Sequence, residues 1–202
     1  MNMKLRYSPA SPFARKVRVF AYEVGLTTQM EISATDVWSP DSDIAADNPF
    51  SKVPTLLTAD GSFFGSLLCC EYLDTLHKGS RLIPRDSREY WTALQRHALA
   101  DGLMEAAVAH ATERLRRPRE YVYQGYLERQ ADKIRRALTL LAASDNYPYA
   151  CADIATITLA CALSYLDFRL PELQWRTGAD SLALWHATFA ARDSMVATQI
   201  QP

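Results

Sequence analysis

The first 77 residues alternate between short apolar runs typical of strands and amphipathic runs typical of helices. Alternating apolar and polar positions predict a strand over Met3–Tyr7. Helical spacing predicts a helix over 13–24, which Gly25 ends. Later runs predict strands at 29–32, 55–57 and 62–64, a short, weak helix within 39–46 and a helix over 66–76. Elements in this order are typical of a small α/β domain.

The pattern becomes helical throughout after residue 84. Residues 77–84 are polar, contain Gly79 and end in a proline, which predicts a linker. Four helices are predicted beyond it, at 87–117, 120–144, 153–169 and 181–192. The third is the most apolar, so we expect it at the centre of its domain. We therefore predict two domains, residues 1–77 as an α/β domain and residues 86–202 as an all-helical domain.

Composition excludes several classes of function. Hydrophobic residues make up 49% of the 202 residues and charged residues 22%, as in ordinary globular proteins with a sizeable core. The net charge of −1 gives no overall field that would attract nucleic acid or an anionic membrane. No apolar segment approaches the length that spans a bilayer. We expect a cytoplasmic protein with no membrane and no nucleic-acid partner.

The cysteines give no sign of redox or metal chemistry. Cys69, Cys70, Cys151 and Cys161 form no Cys-x-x-Cys pair, and no histidine stands at metal-ligand spacing from them. We interpret all four as small buried residues in a reducing compartment. No metal site is expected.

The segment between the first strand and the first helix is the strongest candidate site. Ser11 stands directly before Pro12, and proline is favoured at the first helical position, so Ser11 falls at the helix cap. Unpaired backbone N–H groups and the positive end of the helix dipole favour an anion there. A hydroxyl at that point can hold a thiolate. The plainer alternative is that Ser11 only caps its helix.

Two further segments strengthen the first interpretation. Pro54 opens the predicted strand at 55–57, and an X-Pro bond in a tight loop is where a cis peptide occurs, so we predict a cis bond after Val53. Ser66 follows a predicted hairpin and is expected to cap the helix at 66–76.

These motifs, in this order, resemble those of bacterial glutathione S-transferases of the serine or cysteine type. The segment 11–16 is similar to the family's active-site helix start, and 52–54 is similar to its cis-proline loop. The segment 64–73 is similar to its glutamyl-binding turn and third helix, and 152–154 with 161–169 extends the resemblance into the second half. The resemblance implies a thioredoxin-like N-terminal domain, an all-α C-terminal domain and glutathione as co-substrate.

The resemblance also implies a role for each matching residue. Ser11 would support the glutathione thiolate, and the Val53 backbone would contact the cysteinyl part of the tripeptide. Lys52 would pair with the glycyl carboxylate, while Ser66 and its helix start would bind the glutamyl carboxylate. The implied site residues are Ser11, Phe13, Lys52, Val53, Pro54, Gly65 and Ser66.

The function implied is that of a glutathione transferase, in which the thiolate attacks an electrophilic small molecule, as in detoxification. Relatives of this type form homodimers, so a homodimer is expected. Two alternatives stay open. One is a non-catalytic, regulatory interaction protein with the same fold, and the other is a glutathione-dependent reductase or lyase that acts on one metabolite.

Three positions complicate the resemblance. Tyr7 lies where other branches of the superfamily place a catalytic tyrosine, and it is the rival of Ser11 as the thiolate donor. Gly65 stands where an acidic residue usually precedes the serine, so a contact to the glutamyl ammonium is missing. Ser51 stands where the loop usually has glycine. In a dimer, Asp101 on the long helix could reach the ammonium instead.

Overall fold

The computed structural model describes residues 3–143 and 151–201. The described residues form two compact units. The first contains the residues up to Asp86 together with those from Asp193 onwards, and the second is Ser87–Arg192. The predicted division into 1–77 and 86–202 differs from this one at the end of the chain, since the last residues pack with the first unit.

A four-stranded mixed sheet forms the core of the first unit. Its strands are β1 (Met3–Tyr7), β2 (Met30–Ala34), β3 (Thr55–Thr58) and β4 (Gly61–Phe64). Their order across the sheet is β2-β1-β3-β4, with β2 parallel and β3 antiparallel to β1, and β4 antiparallel to β3. This topology confirms the thioredoxin-like prediction, and each strand lies within two residues of its predicted position.

Three helices accompany the sheet, two between strands and one after β4, and their bounds follow from local signals. These are α1 (Pro12–Glu23), α2 (Ile44–Asp47) and α3 (Ser66–Leu73). In α1 a proline occupies the first turn, and Val17 and Phe20 are fully buried. Gly25, with φ of +73°, follows the end of α1, in a conformation that glycine adopts without cost. As predicted, α2 is short.

The predicted linker is held by one buried carboxylate. Asp74 directly follows α3 and is fully buried. It accepts hydrogen bonds from the backbone N–H groups of Leu82 (3.0 Å) and Ile83 (3.3 Å), and its carboxylate lies 3.1 Å from His77 Nε2. Because a buried carboxylate needs partners, these bonds fix the path of the chain after α3. Helix α3 ends before the predicted residue 76 because the N–H groups of Thr75 and Leu76 bond carbonyls three residues back instead of four.

The end of the chain returns to α1 as a short helix that the sequence pattern does not predict. This helix is α8 (Asp193–Val196), and it packs against α1 within the first unit. The Arg15 guanidinium donates to the Met195 carbonyl at 3.0 Å, and the Ser194 hydroxyl donates to the Glu23 carboxylate at 2.5 Å. Four residues are too few to show helical periodicity, which is why the pattern misses this helix.

The second unit is helical, as predicted. It contains α4 (Ser87–Arg116), α5 (Gln124–Ala142), α6 (Ile154–Arg169) and α7 (Asp180–Ala190). Helix α4 packs against α5 and α6, and α7 packs against the same two helices. Helix α6 is buried along most of its length, which confirms its predicted central place. Ser144, the predicted end of the second helix, lies outside the described residues.

A reciprocal cap begins α6. The Thr156 backbone N–H donates to the Asp153 carboxylate at 2.7 Å, and the Thr156 hydroxyl accepts from the Asp153 backbone N–H at 2.8 Å. This capping box satisfies two backbone donors that would otherwise be unpaired at the start of the central helix.

The four cysteines form no disulfide, and they differ in exposure. Cys69, Cys70 and Cys161 are buried, as interpreted from the sequence, but Cys151 is exposed, so that interpretation is wrong for this residue. Cys151 precedes the cap of α6, where the chain is not covered by the helices of its unit. Burial raises the pKa of the Cys69 thiol to about 12.

Loss of the α6 cap should destabilise the protein measurably. We expect Asp153→Ala to lower the free energy of unfolding by about 1 kcal/mol, because the Thr156 backbone N–H loses its side-chain acceptor. Asp180→Ala is the matched control, since Asp180 lies in the first turn of α7 without a capping hydrogen bond in that helix. Urea denaturation followed by circular dichroism measures both. Equal effects of the two substitutions would contradict the assignment.

Cysteine alkylation should separate Cys151 from Cys69 in the folded protein. A thiol whose pKa is about 12 holds less than about one thousandth of its population as thiolate at pH 8, and the thiolate is the reactive form. We expect iodoacetamide at pH 8 to label Cys151 and to spare Cys69, while both are labelled in urea. Peptide mass spectrometry reads the result. Equal labelling of the two residues in the native protein would show that Cys69 is accessible.

Candidate functional site

The start of α1 presents a hydroxyl at a helix N-terminus. Ser11 is the cap residue, with extended backbone geometry, and its Oγ accepts the backbone N–H of Ala14 at 3.2 Å. The predicted cap is therefore confirmed. A hydroxyl that accepts one hydrogen bond can still donate its own proton. Ser11 can thus offer an O–H donor at the positive end of a twelve-residue helix.

Buried positive charge lies along the same helix. Arg15 and Lys16 are both buried, and the first turn of α1 contains no acidic residue. Arg15 bonds a backbone carbonyl through one terminal nitrogen, while its buried Nε has no hydrogen-bond partner within the described residues. The Lys16 ammonium lies 5.9 Å from the ring centre of Phe13. The helix dipole favours a negative charge at the start of α1, and no acidic residue in the first turn opposes it.

The ring of Tyr7, the alternative to Ser11 as thiolate donor, contacts a cationic side chain. The Arg18 guanidinium lies 4.9 Å from the centre of the Tyr7 ring, within the range of a cation–π contact. Burial lowers the pKa of this guanidinium. The ring of Tyr7 therefore packs the end of β1 against α1, which is the structural role that the sequence allowed for it.

The strand register brings three chain segments to one edge of the sheet. Arg6, near the end of β1, lies opposite Thr55, the first residue of β3, and Thr55 lies opposite Phe64, the last residue of β4. The end of β1, the start of β3 and the end of β4 thus coincide. The segments next to these three strand ends are the start of α1, the loop before β3 and the start of α3. They contain every predicted site residue.

The loop before β3 exposes backbone groups. The peptide bond between Val53 and Pro54 is cis, which confirms the prediction. Lys52 is exposed and Pro54 is buried. Within the described residues, the Val53 backbone N–H and C=O form no hydrogen bond with another protein group. A ligand with an extended backbone of its own could pair with both groups, as a neighbouring strand does.

Two buried side chains beneath this loop escaped the sequence analysis. The Asn48 amide donates to the Lys52 carbonyl at 2.9 Å and to the Thr55 hydroxyl at 3.1 Å. Its oxygen accepts the backbone N–H of Phe50 at 3.0 Å. Asn48 and Thr55 are 2% and 0% exposed. In a sequence, an asparagine before a proline indicates only a turn. Its hydrogen bonds across the loop produce no periodic pattern of residues that could reveal them.

The start of α3 differs from the sequence prediction. Ser66 is the first helical residue rather than the cap, and the preceding Gly65 has φ of +89° and forms no side-chain cap. The prediction that Ser66 caps α3 is therefore wrong, because the chain enters the helix through a left-handed conformation that favours glycine. The backbone N–H groups at this helix start receive no side-chain acceptor from the cap position. Together with the buried Ser66 they can bind an anion.

Ser51 also adopts an unusual backbone conformation. Its φ is +50°, in the left-handed region, and its backbone N–H donates to the Asn48 carbonyl at 2.8 Å. This conformation explains why glycine suits the position better, as the resemblance indicates.

Within residues 3–143 and 151–201, no three or more histidine, cysteine, aspartate or glutamate side chains are grouped as metal ligands. No helix in those ranges has the length and apolarity needed to cross a membrane. Among the described residues, the segments at this edge of the sheet offer helix starts, unpaired backbone groups and hydroxyls.

Comparison with known proteins agrees with this architecture. Residues 10–76 match the family model described as the glutathione S-transferase N-terminal domain. An uncharacterised glutathione S-transferase-like protein of Escherichia coli, YibF, is 32% identical over 201 residues, which cover 98% of each chain.

Solved structures extend the match to the whole chain. A glutathione transferase family member from Pseudomonas fluorescens Pf-5, crystallised with bound glutathione, is 40% identical with a TM-score of 0.94 and full coverage of both chains. A glutathione S-transferase from Methylobacillus flagellatus KT, also with glutathione bound, is 33% identical with a TM-score of 0.91 and covers 99% of this chain and 100% of its own. The chain therefore belongs to the glutathione S-transferase family.

Proposed function

We propose that this protein is a glutathione transferase that binds glutathione on its first unit and activates the thiol with Ser11. The observation that carries the proposal is the start of α1, where a hydroxyl donor and a helix N-terminus favour a thiolate. The relatives from Pseudomonas fluorescens and Methylobacillus flagellatus that were crystallised with glutathione support the choice of ligand.

The available interactions are strong enough for the task. A free thiol has a pKa near 8.5, so only a few per cent is thiolate at neutral pH. Lowering that pKa to about 6.5 requires roughly 2.7 kcal/mol of preferential stabilisation of the thiolate. One hydrogen bond to an anion contributes about 1.5–3 kcal/mol, and a helix N-terminus adds about 0.3–1 kcal/mol. The Ser11 hydroxyl and the start of α1 can therefore supply the effect without a formal base.

The rest of the tripeptide would lie along the same sheet edge. The Val53 backbone would pair with the cysteinyl residue, as its unpaired N–H and C=O allow. The exposed Lys52 would pair with the glycyl carboxylate. The N–H groups at the start of α3, with Ser66, would bind the glutamyl carboxylate. Phe13, Pro54 and Gly65 would complete the wall of the site.

The second substrate is an electrophilic small molecule, and a detoxification role in the cytoplasm fits this chemistry. The thiolate attacks the electrophilic carbon and forms a new C–S bond. In a substitution, the leaving group departs with its bonding electron pair. In an addition, the π electron pair of the double bond moves to the neighbouring atom, which takes up a proton from water. A second candidate function is a non-catalytic interaction protein. Gly65 favours this alternative, because it leaves the glutamyl ammonium without the carboxylate that similar chains provide.

Removal of the Ser11 hydroxyl should slow conjugation strongly. We expect Ser11→Ala to reduce kcat/KM with an aryl-halide acceptor by roughly 10- to 100-fold, the equivalent of one hydrogen bond to an anion. Tyr7→Phe, the matched control, should change the rate little, because the ring of Tyr7 keeps its contact with Arg18. Steady-state kinetics measures both variants.

Ser11→Thr tests the same assignment by keeping the hydroxyl. Threonine keeps a hydroxyl and remains a good helix cap, so this variant should retain most of the activity. A severe loss in Tyr7→Phe with a mild loss in Ser11→Ala would assign the thiolate donor to Tyr7 instead. Thermal melts of all variants separate loss of the α1 cap, worth about 1 kcal/mol, from loss of catalysis.

We further propose that the protein is a homodimer. Leu68 on α3 is 48% exposed and Trp91 on α4 is 67% exposed, and both lie on the helices through which the resembled family pairs. We expect light scattering at micromolar concentration to give twice the chain mass of 22.7 kDa. Trp91→Glu should shift the population to monomer, and Leu184→Glu, a control at the 72% exposed Leu184 on α7, should not. A monomer mass for the wild type would contradict the proposal.

A further inference from the structure

We propose that Asn48 and Thr55 are positioning residues that set the affinity for glutathione by orienting the Val53 backbone N–H. This inference rests on the proposed function, since Val53 is the backbone contact that the function assigns to the cysteinyl residue. It explains what orients the Val53 backbone for that contact. Two buried side chains do so, and neither lies among the predicted site residues.

The two side chains meet at a single carbonyl oxygen. The Lys52 carbonyl accepts the Asn48 amide at 2.9 Å and the Thr55 hydroxyl at 2.8 Å. The Asn48 amide also donates to the Thr55 hydroxyl at 3.1 Å, so the three groups form a closed triangle. Because Asn48 and Thr55 are almost fully buried, this triangle lies beneath the loop, and the Lys52 carbonyl points towards it.

Because the peptide group is planar, a Lys52 carbonyl that points inward makes the Val53 N–H point outward. The Lys52 carbonyl and the Val53 N–H belong to one peptide plane, and in a trans peptide they point in opposite directions. The cis bond lies one position later, between Val53 and Pro54, so it leaves this plane trans. Holding the carbonyl inward therefore turns the Val53 N–H away from the triangle, where it forms no hydrogen bond within the described residues.

The triangle is itself anchored to the sheet. Asp47, which precedes Asn48 and ends α2, pairs with the buried Arg6 guanidinium of β1 at 2.8 Å. The backbone carbonyl of Asp47 accepts the Ser62 hydroxyl of β4 at 2.6 Å. The Asn48 oxygen also accepts the Phe50 N–H at 3.0 Å. The residue before Asn48 is thus tied to β1 and β4, and rotation of the Asn48 amide would break its hydrogen bonds to three residues.

These contacts predict a specific kinetic signature. A residue that only stabilised the fold would change activity through the amount of folded protein. A residue that orients the Val53 N–H should instead raise the KM for glutathione, while kcat and the KM for the acceptor change much less, because the thiolate donor Ser11 lies on a different segment.

The test is a matched pair of substitutions at Thr55. Thr55→Val has nearly the same shape but removes the hydroxyl that donates to the Lys52 carbonyl, and Thr55→Ser keeps it. We expect Thr55→Val to raise the KM and Kd for glutathione roughly 5- to 10-fold, as for one lost hydrogen bond, with kcat nearly unchanged. Thr55→Ser should restore values close to those of the wild type. Calorimetry with glutathione gives Kd, and steady-state kinetics gives the two KM values.

Asn48→Asp provides a second, independent test of the inference. Aspartate keeps the oxygen that accepts the Phe50 N–H, but it replaces the donating amide with an oxygen that repels the Lys52 carbonyl. We expect a larger rise in the KM for glutathione, roughly tenfold or more. If Asn48→Asp does not fold, the pair at Thr55 decides.

The outcomes separate this inference from the proposed function. Folded Thr55→Val with a wild-type affinity for glutathione would overturn the inference and leave the proposed function standing. A fall in the kcat of Thr55→Val of about the same size, with an unchanged KM for glutathione, would also overturn the inference, because the loop would then act on the chemical step. Absence of glutathione binding by the wild type would overturn the proposed function, and the inference with it.

Discussion

The positive end of α1 is the feature on which the rest of the site depends. The start of any helix leaves backbone N–H groups without partners, and here the Ser11 oxygen accepts that of Ala14. The first turn of α1 also contains no acidic residue. A thiolate at Ser11 would therefore be favoured by the helix N-terminus and by the hydroxyl.

Buried cations are costly, so the fold must support them from other parts of the chain. The Met195 carbonyl, 180 residues along the chain, accepts the Arg15 guanidinium, and α8 packs on α1 for this contact. At the loop before β3, Asn48 and Thr55 hold the Lys52 carbonyl. The start of α1 and this loop are thus each braced by buried polar side chains.

Local signals made much of this fold predictable. The strand Met3–Tyr7 and the helix start at Ser11 follow from periodicity and from proline at the first helical position, and both are confirmed. Ser66 was misassigned because serine is a common cap, whereas the left-handed turn at Gly65 takes the cap position. The family resemblance was recognisable because four motifs occur in the expected order along the chain.

Long-range contacts account for what the sequence could not indicate. The bond from Arg15 to Met195 joins residues from opposite ends of the chain, and α8 is too short to show a period. Asn48 bonds to backbone groups, which carry no residue identity, so no pattern of residue types marks its role. Exposure of Cys151 depends on how the helices of its unit pack, which composition does not determine.

Calorimetry of glutathione binding in buffers of different ionisation enthalpy tests the central claim most directly. If the start of α1 holds a thiolate, binding near pH 7 should release most of a proton, because the thiol of free glutathione, with a pKa near 8.5, is largely protonated there. S-methylglutathione has no thiol proton, so its binding should release none. Absence of glutathione binding, or binding with equal proton release for the two ligands, would contradict the account.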